Sequence, residues 1–469
     1  MRPLYVLLLI ALPLAAHSSE GLHPSDLPAP APVDFDPPQP EIVKLKNGMT
    51  LYLLEDHELP LFNIGAYIRA GSAYEPADKL GLAGLTATVM RSGGSATRPG
   101  DQLDEELSFI AGSVEVGMSN LHATASVDVL AKHIDTGLEI FADLLMHPAL
   151  PADKLELARA QRLEGIRRQN DNPVAIASRE FYRRVYGADS PWGRSATVQT
   201  VSAITRQDLV DYHAAYFRPD HMTLAVVGDF KKKDIVKKIK KAFKGWKKGK
   251  GDLPGLPALE EPAPGVFHIE KDVNQATIYI GHLGIKDLNP DWYAVRIMNR
   301  IYGIGTFTSR LGREIRVNRG LAYSVGGGVT RGPAKGPFYI RCQTKNETAV
   351  EAIQAMLQIT RDMRQGPIGA EEFGLSQSRL INSDIFNYDS SVGIANQRVY
   401  YDYYGFAPDY LSTFVERTQA VTPEDALRVA QAYMHPDKAV VVIVGRSADF
   451  DQELSVLGEV TRVELEAAE

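Results

Sequence analysis

Two pentapeptides, Ile204-Thr205-Arg206-Gln207-Asp208 and Val421-Thr422-Pro423-Glu424-Asp425, decide how this chain is read. Each opens a stretch of helical composition. The first leads to Tyr216-Phe217-Arg218-Pro219-Asp220 and the strand-like run Leu224-Ala225-Val226-Val227-Gly228. The second leads to Tyr433-Met434-His435-Pro436-Asp437 and Val441-Val442-Ile443-Val444-Gly445. Every pair stands 217 positions apart, Thr422 against Thr205 and Pro436 against Pro219. Chance can produce one such match. A helix start, a turn and a strand in one register point to duplication, with two halves of about 200 residues each.

Working outward, the first half begins near Glu41. Val43 to Leu53 is two alternating runs joined by Asn47-Gly48, a hairpin signal. A strand is predicted over Phe62 to Arg69, a helix over Lys79 to Ser92 stopping at Gly93-Gly94, and a helix over Asp101 to Ala111. Strands follow over Val114 to Met118 and Ala123 to Val129, then amphipathic helices over Ala131 to Leu145 and Ala152 to Gln169. Strand pairs mixed with helices predict an α+β fold of segregated layers, two homologous α/β sandwich lobes. The expected boundaries are 41–250 for the first lobe, 251–264 for a linker with four prolines, 265–450 for the second lobe and 451–469 for an acidic tail.

Lys231 to Gly251 holds eleven lysines and one aspartate, with Ile235, Val236, Ile239, Phe243 and Trp246 on one apolar face. It reads as the last helix of the first lobe, its lysine stems covering apolar surface. A basic patch for an acidic partner or a membrane is the other reading.

The chain has 469 residues, 44% hydrophobic and 23% charged, enough for a large globular core. A net charge of −7 makes nucleic acid an unexpected partner. Arg2, the apolar run Leu4 to Ala16, and small Ala15, Ala16 and Ser18 read as a signal peptide over 1–18. An uncleaved membrane anchor is the alternative, although the run is short for a span. A proline-rich tether over 19–40 follows. Export to the periplasm or the medium is therefore expected. No integral membrane span is expected beyond that segment. Cys342 is the one cysteine, so no internal disulfide forms, and it reads as a buried structural thiol.

Two imidazoles on one helix face need His at i and i+4. No pair of this chain's histidines has that spacing, and there is no nucleophile elbow or phosphate loop. Gly71-Ser72-Ala73-Tyr74-Glu75-Pro76 with Gly81-Leu82-Ala83 resembles the opening of the pitrilysin/insulinase (peptidase M16) zinc metallopeptidases. Leu163-Glu164-Gly165-Ile166, Asp171-Asn172-Pro173, Tyr216 to Gly228, and Arg310-Leu311 through Gly320-Leu321-Ala322-Tyr323 fit the same pattern. The resemblance spans about residues 41 to 447. It implies two homologous lobes facing each other across a peptide chamber.

In catalytic members of that family, His-x-x-Glu-His on the helix after Gly-Leu-Ala supplies two zinc ligands and the base, and a distant Glu supplies the third ligand. The matching positions here are Gly84, Ala87 and Thr88. The third ligand falls on Gly165, with Glu164 beside it, so a one-residue slip would restore that carboxylate. One carboxylate alone cannot hold a catalytic zinc. No catalytic residue, metal or cofactor is therefore expected on this chain.

Arg316 and Tyr323 match an Arg/Tyr pair that, in members carrying it, binds substrate carbonyls and assists the oxyanion. They are expected on a helix over Ser309 to Val317 and on the strand after Gly320. The resemblance implies a non-catalytic, substrate-binding subunit paired, as heterodimer or heterotetramer, with a zinc-bearing M16-type subunit that holds the metal. The alternatives are a peptidase active alone through an unorthodox metal site, and an envelope scaffold or assembly protein.

Overall fold

The computed structural model describes residues 37–251 and 253–465. The expected signal peptide and most of the tether lie outside the described residues. The first lobe carries β1 (Glu41–Lys44), β2 (Thr50–Glu55), β3 (Leu61–Ile68), β4 (Ser113–Met118), β5 (Ala123–Leu130) and β6 (Met222–Gly228). The second carries β7 (Gly265–Glu270), β8 (Gln275–Leu283), β9 (Ile285–Lys286), β10 (Ala322–Val329), β11 (Arg331–Gly332), β12 (Pro337–Lys345), β13 (Val440–Gly445) and β14 (Val460–Arg462). The sheets run β1-β2-β6-β3-β5-β4 and β10-β12-β8-β13-β7-β14, with β9 and β11 in a small pair of their own.

Five strands of one sheet have a counterpart in the other. β6 lies parallel to β2 and antiparallel to β3, as β13 lies parallel to β7 and antiparallel to β8. The outer strands differ. β1 is a hairpin partner, antiparallel to β2, turning at Gly48 with φ +95°. β14 comes from the far end of the chain and lies parallel to β7. Residues 451–465 are therefore not simply a tail: they add an edge strand, and Leu454 is buried.

The two pentapeptides start helices by one device. Thr205 Oγ1 accepts from Asp208 N–H at 3.2 Å, and the Asp208 carboxylate accepts from Thr205 N–H at 2.6 Å. Thr422 and Asp425 repeat this reciprocal cap at 3.2 and 3.1 Å. The Arg206–Tyr216 and Pro423–Tyr433 helices follow. The lysine-rich run forms the Lys232–Ala242 helix, with Ile235 and Ile239 buried.

The strands that follow these two capped helices, β6 and β13, are apolar on both faces. Leu224 and Val226 enter the core of the first lobe, and Val441 and Ile443 that of the second. The opposite faces are covered by exchange. The Pro173–Tyr186 helix of the first half packs on β13 and β8, and the Ser391–Tyr403 helix of the second half packs on β6, β2 and β3. Ile176, Phe181 and Val185 meet Val440, Val442 and Val444, while Ala395 and Val399 meet Tyr52, Ala225 and Val227. Close approach needs glycine on both sheets. A Cβ on Gly65 would stand 2.5 Å from Asn396 Oδ1, and one on Gly281 would stand 3.0 Å from Phe181 as well as striking the Phe338 carbonyl. Tyr52 Oη donates to Asp402 at 2.5 Å across the same face. Among the described residues no helix is long and apolar enough to cross a membrane.

Candidate functional site

The Leu82–Gly93 and Ala152–Arg167 helices pack side by side and bound a cavity of about 770 Å³. Gly84, Thr88 and Gly165 all line it. Ala87 turns into the core and is buried. The cavity face of the second helix is Ala158, Gln161, Arg162, Gly165 and Ile166, which is helical spacing, and Gln169 lines the cavity just past its end. Glu164 is off that face, exposed and 3.7 Å from Arg167, so the slip that would make it a ligand does not match the geometry. An added Cβ on Gly84 or Gly165 would meet nothing within 4 Å, which leaves open space at both positions.

Zinc does not fit this space. Gly84, Ala87 and Gly165 offer no side-chain donor, and the Thr88 hydroxyl donates back to the Gly84 carbonyl at 3.0 Å. Among the described residues no cluster of three His, Cys, Asp or Glu could hold a metal ion. The ionisable groups lining the cavity are instead Glu75, Arg162, Arg179 and Arg194, a set that repels a dication.

Glu75 has a structural duty. Gly81 starts the helix at φ +106° without a capping side chain. The Glu75 carboxylate accepts from Gly81 N–H at 3.1 Å and Ala83 N–H at 2.6 Å. Burial pushes its carboxyl above the ordinary range, while those two N–H groups, Arg194 and Arg162 pull it down. Glu75→Ala is expected to lower stability by about 1–3 kcal/mol, because a buried and a half-buried N–H group lose their acceptor. Glu75→Gln keeps one acceptor oxygen and should lose less. Urea unfolding of both variants checks this.

Arg316 and Tyr323 come together in the second lobe. Arg316 stands on a π-helical segment, Gly312–Asn318, where a regular helix was expected. Gly320 leaves it at φ +63°. Tyr323 is the extra residue of a β-bulge, since Ala322 pairs with Thr344 and Ser324 with Gln343. The bulge turns Tyr323 out of the sheet, 80% exposed. The Arg316 guanidinium lies over two rings, 4.5 Å from the centroid of Phe307 and 4.6 Å from that of Tyr323. No carboxylate is paired with it among the described ion pairs, so its N–H donors stay free for a ligand. Arg316 and Tyr323 line a cavity of about 360 Å³ with Gly326, Gly327, Gly328 and Arg341, along β10 at the open edge of its sheet. Phe307, 63% exposed, was missed from sequence because it lies in a loop without periodicity. Arg162 was legible in principle, three residues before Gly165 on one helix face. Cys342 is buried, and its thiol is pushed up to about 12, which leaves it unreactive.

Residues 52–190 match the family model of the insulinase peptidases (peptidase family M16), and residues 203–380 match that of the peptidase M16 inactive domain. A Rickettsia felis protein named uncharacterized zinc protease is 27% identical over 65% of this chain and 74% of its own length. A Helicobacter pylori protein named non-peptidase homolog YmxG is 24% identical over 83% of this chain and 90% of its own. Among solved structures, a Pseudomonas fluorescens peptidase M16 inactive domain superposes with a TM-score of 0.80 at 27% identity, covering 87% of this chain and 98% of that one. With the insulinase model matched in the first half, the inactive-domain model matched from residue 203 onward and the fold shared, the chain belongs to the M16 family.

Proposed function

We propose that this chain is the non-catalytic, substrate-binding subunit of a heteromeric periplasmic M16-type peptidase, and that it supplies Arg316 and Tyr323 to peptide held at the zinc of a partner subunit. The observation that carries this reading is the free Arg316 guanidinium, braced by Phe307 and Tyr323 beside an open strand edge. Stacking holds the side chain without using its N–H groups, so it binds peptide carbonyls at little cost in rotamer freedom. The Tyr323 phenol offers a second donor. Both suit charge developing on a carbonyl oxygen. The triglycine Gly326-Gly327-Gly328 lets peptide backbone approach. The partner supplies metal, water and base. Arg2 and the apolar run after it support export.

The test begins with purification of the mature chain from its host, with its co-purifying proteins and zinc. A stoichiometric partner bearing His-x-x-Glu-His, with zinc on the partner alone, is expected. Arg316→Ala and Tyr323→Phe should then lower turnover by the pair about 10- to 100-fold without dissociating it. Unchanged turnover in both variants would remove the assigned role. Stoichiometric zinc on the lone chain would favour a peptidase acting by itself.

A further inference from the structure

We infer that the cavity at the vacated zinc position is a carboxylate-binding site, which takes the carboxylate of a peptide on this chain's first lobe. The inference is independent of any partner and of Arg316. Its basis is an inversion of charge chemistry. Where the family holds a cation with His and Glu, this cavity has lost all three ligand side chains and is lined by Arg162, Arg179 and Arg194.

The three arginines differ in what they have left to give. Arg194 is anchored from its Nη2, which donates to the carbonyls of Ser72 at 2.7 Å, Ala73 at 3.2 Å and Glu75 at 3.1 Å. Arg179 donates to the Gln169 carbonyl at 3.0 Å and Asn170 Oδ1 at 2.6 Å, and lies 3.6 Å from Glu180. These two are fixed walls of positive potential. Arg162 has no hydrogen bond or ion pair among the described contacts and projects from the cavity face of its helix. Its guanidinium offers a bidentate fork to an incoming carboxylate.

The one acid on the wall, Glu75, has both oxygens committed to the helix start, at Gly81 and Ala83. It offsets one of the three positive charges, and Glu180 beside Arg179 is shared with Arg184 at 2.6 Å, so the wall stays cationic. The space beside Gly84 and Gly165 admits the ligand. Leu85, Ile166 and Trp192 line the remainder, which suits an apolar side chain next to the charged group. A bare inorganic anion would leave that apolar wall unused, so a peptide carboxylate is the better match.

The experiment uses the full mature chain and calorimetric titration at low salt with three blocked probes. They are acetyl-leucyl-alanyl-leucine with a free carboxylate, the same peptide as its amide, and acetyl-leucyl-glutamyl-leucine amide. The free acid should bind about tenfold tighter than its amide. Binding of the glutamyl amide would add an acidic side chain as a source of the carboxylate, and its failure would restrict the site to C-termini. Arg162→Gln should weaken binding about tenfold with a nearly unchanged melting temperature, since Arg162 makes no hydrogen bond or ion pair among the described contacts and acts on Glu75 only through space. Gly165→Glu, which sets a carboxylate into the open space, should abolish binding while the chain stays folded. Equal affinity for acid and amide, no binding of any probe, or full affinity in Arg162→Gln overturns the inference. Loss of binding in Arg316→Ala with retention in Arg162→Gln would move the ligand to the second lobe, and overturns it while leaving the proposed function standing.

Discussion

Replacing Phe181 by Ala should destabilise the protein by about 3–5 kcal/mol and should weaken the coupling between its lobes. Phe181 is fully buried, 5.4 Å from the ring of Tyr279, on a helix of the first half set against strands of the second. Truncation leaves a cavity between Ile176, Val185 and the β13 valines. Neither lobe's own core contains this residue, so the loss falls on the contact that makes the halves unfold together. The wild-type chain should melt in one transition and Phe181→Ala in two, or in one that is broader and lower. Differential scanning calorimetry reads both features. A single transition at the wild-type temperature would mean that the exchanged helix contributes little.

The second large effect is a loss of stability in mild acid through His282. This ring is 4% exposed on β8. Its Nε2 accepts from the His435 backbone N–H at 2.9 Å, so the proton sits on Nδ1, 2.7 Å from the Leu283 carbonyl. Protonation of Nε2 would break the first bond and bury a charge. Burial pushes the imidazole down from 6.5 to about 4; the Leu283 carbonyl and Glu261 oppose the shift, and His435 and Lys438 add to it. A depressed histidine stabilises the fold fully above about pH 6.5, where both states are neutral, and loses that contribution as pH falls toward 4. The amount at stake is about 3 kcal/mol. Guanidinium unfolding at pH 7 and pH 4.5 should show the fall in the wild type and a clearly smaller one in His282→Gln. Parallel slopes in the two proteins would remove His282 as the cause.

Much of the fold is legible in the sequence. Capping, turn and terminal strand recur in both halves because the same local chemistry builds them, and Thr205-Asp208 and Thr422-Asp425 make the same reciprocal bonds. The Asn47-Gly48 hairpin and the lysine-rich helix are likewise local, set by positive φ at Gly48 and by helical spacing of Ile235 and Ile239. The absence of zinc-ligand side chains at 84, 87 and 88 is a fact of sequence.

What the sequence could not contain were relations between distant surfaces. Val440 to Gly445 announces a strand buried on both faces, yet nothing in it says that a helix from the other half covers the second face. That choice comes from where the Pro173–Tyr186 helix finds a matching apolar surface and a glycine that lets it approach. Whether position 164 or 165 faces the cavity depended on the rotation of one helix against another, and packing put the glycine inside. The π-helical segment and the β-bulge each insert a residue out of register, so periodicity fails at the two places that aim Arg316 and Tyr323. The sequence by itself determined most of the elements, the recurring helix starts and turns, and the lack of donor side chains at 84 and 87, because those are local or compositional. Helix exchange, bulge and arginine-lined cavity were decided by tertiary structure, because each depends on surfaces brought together from far apart in the chain.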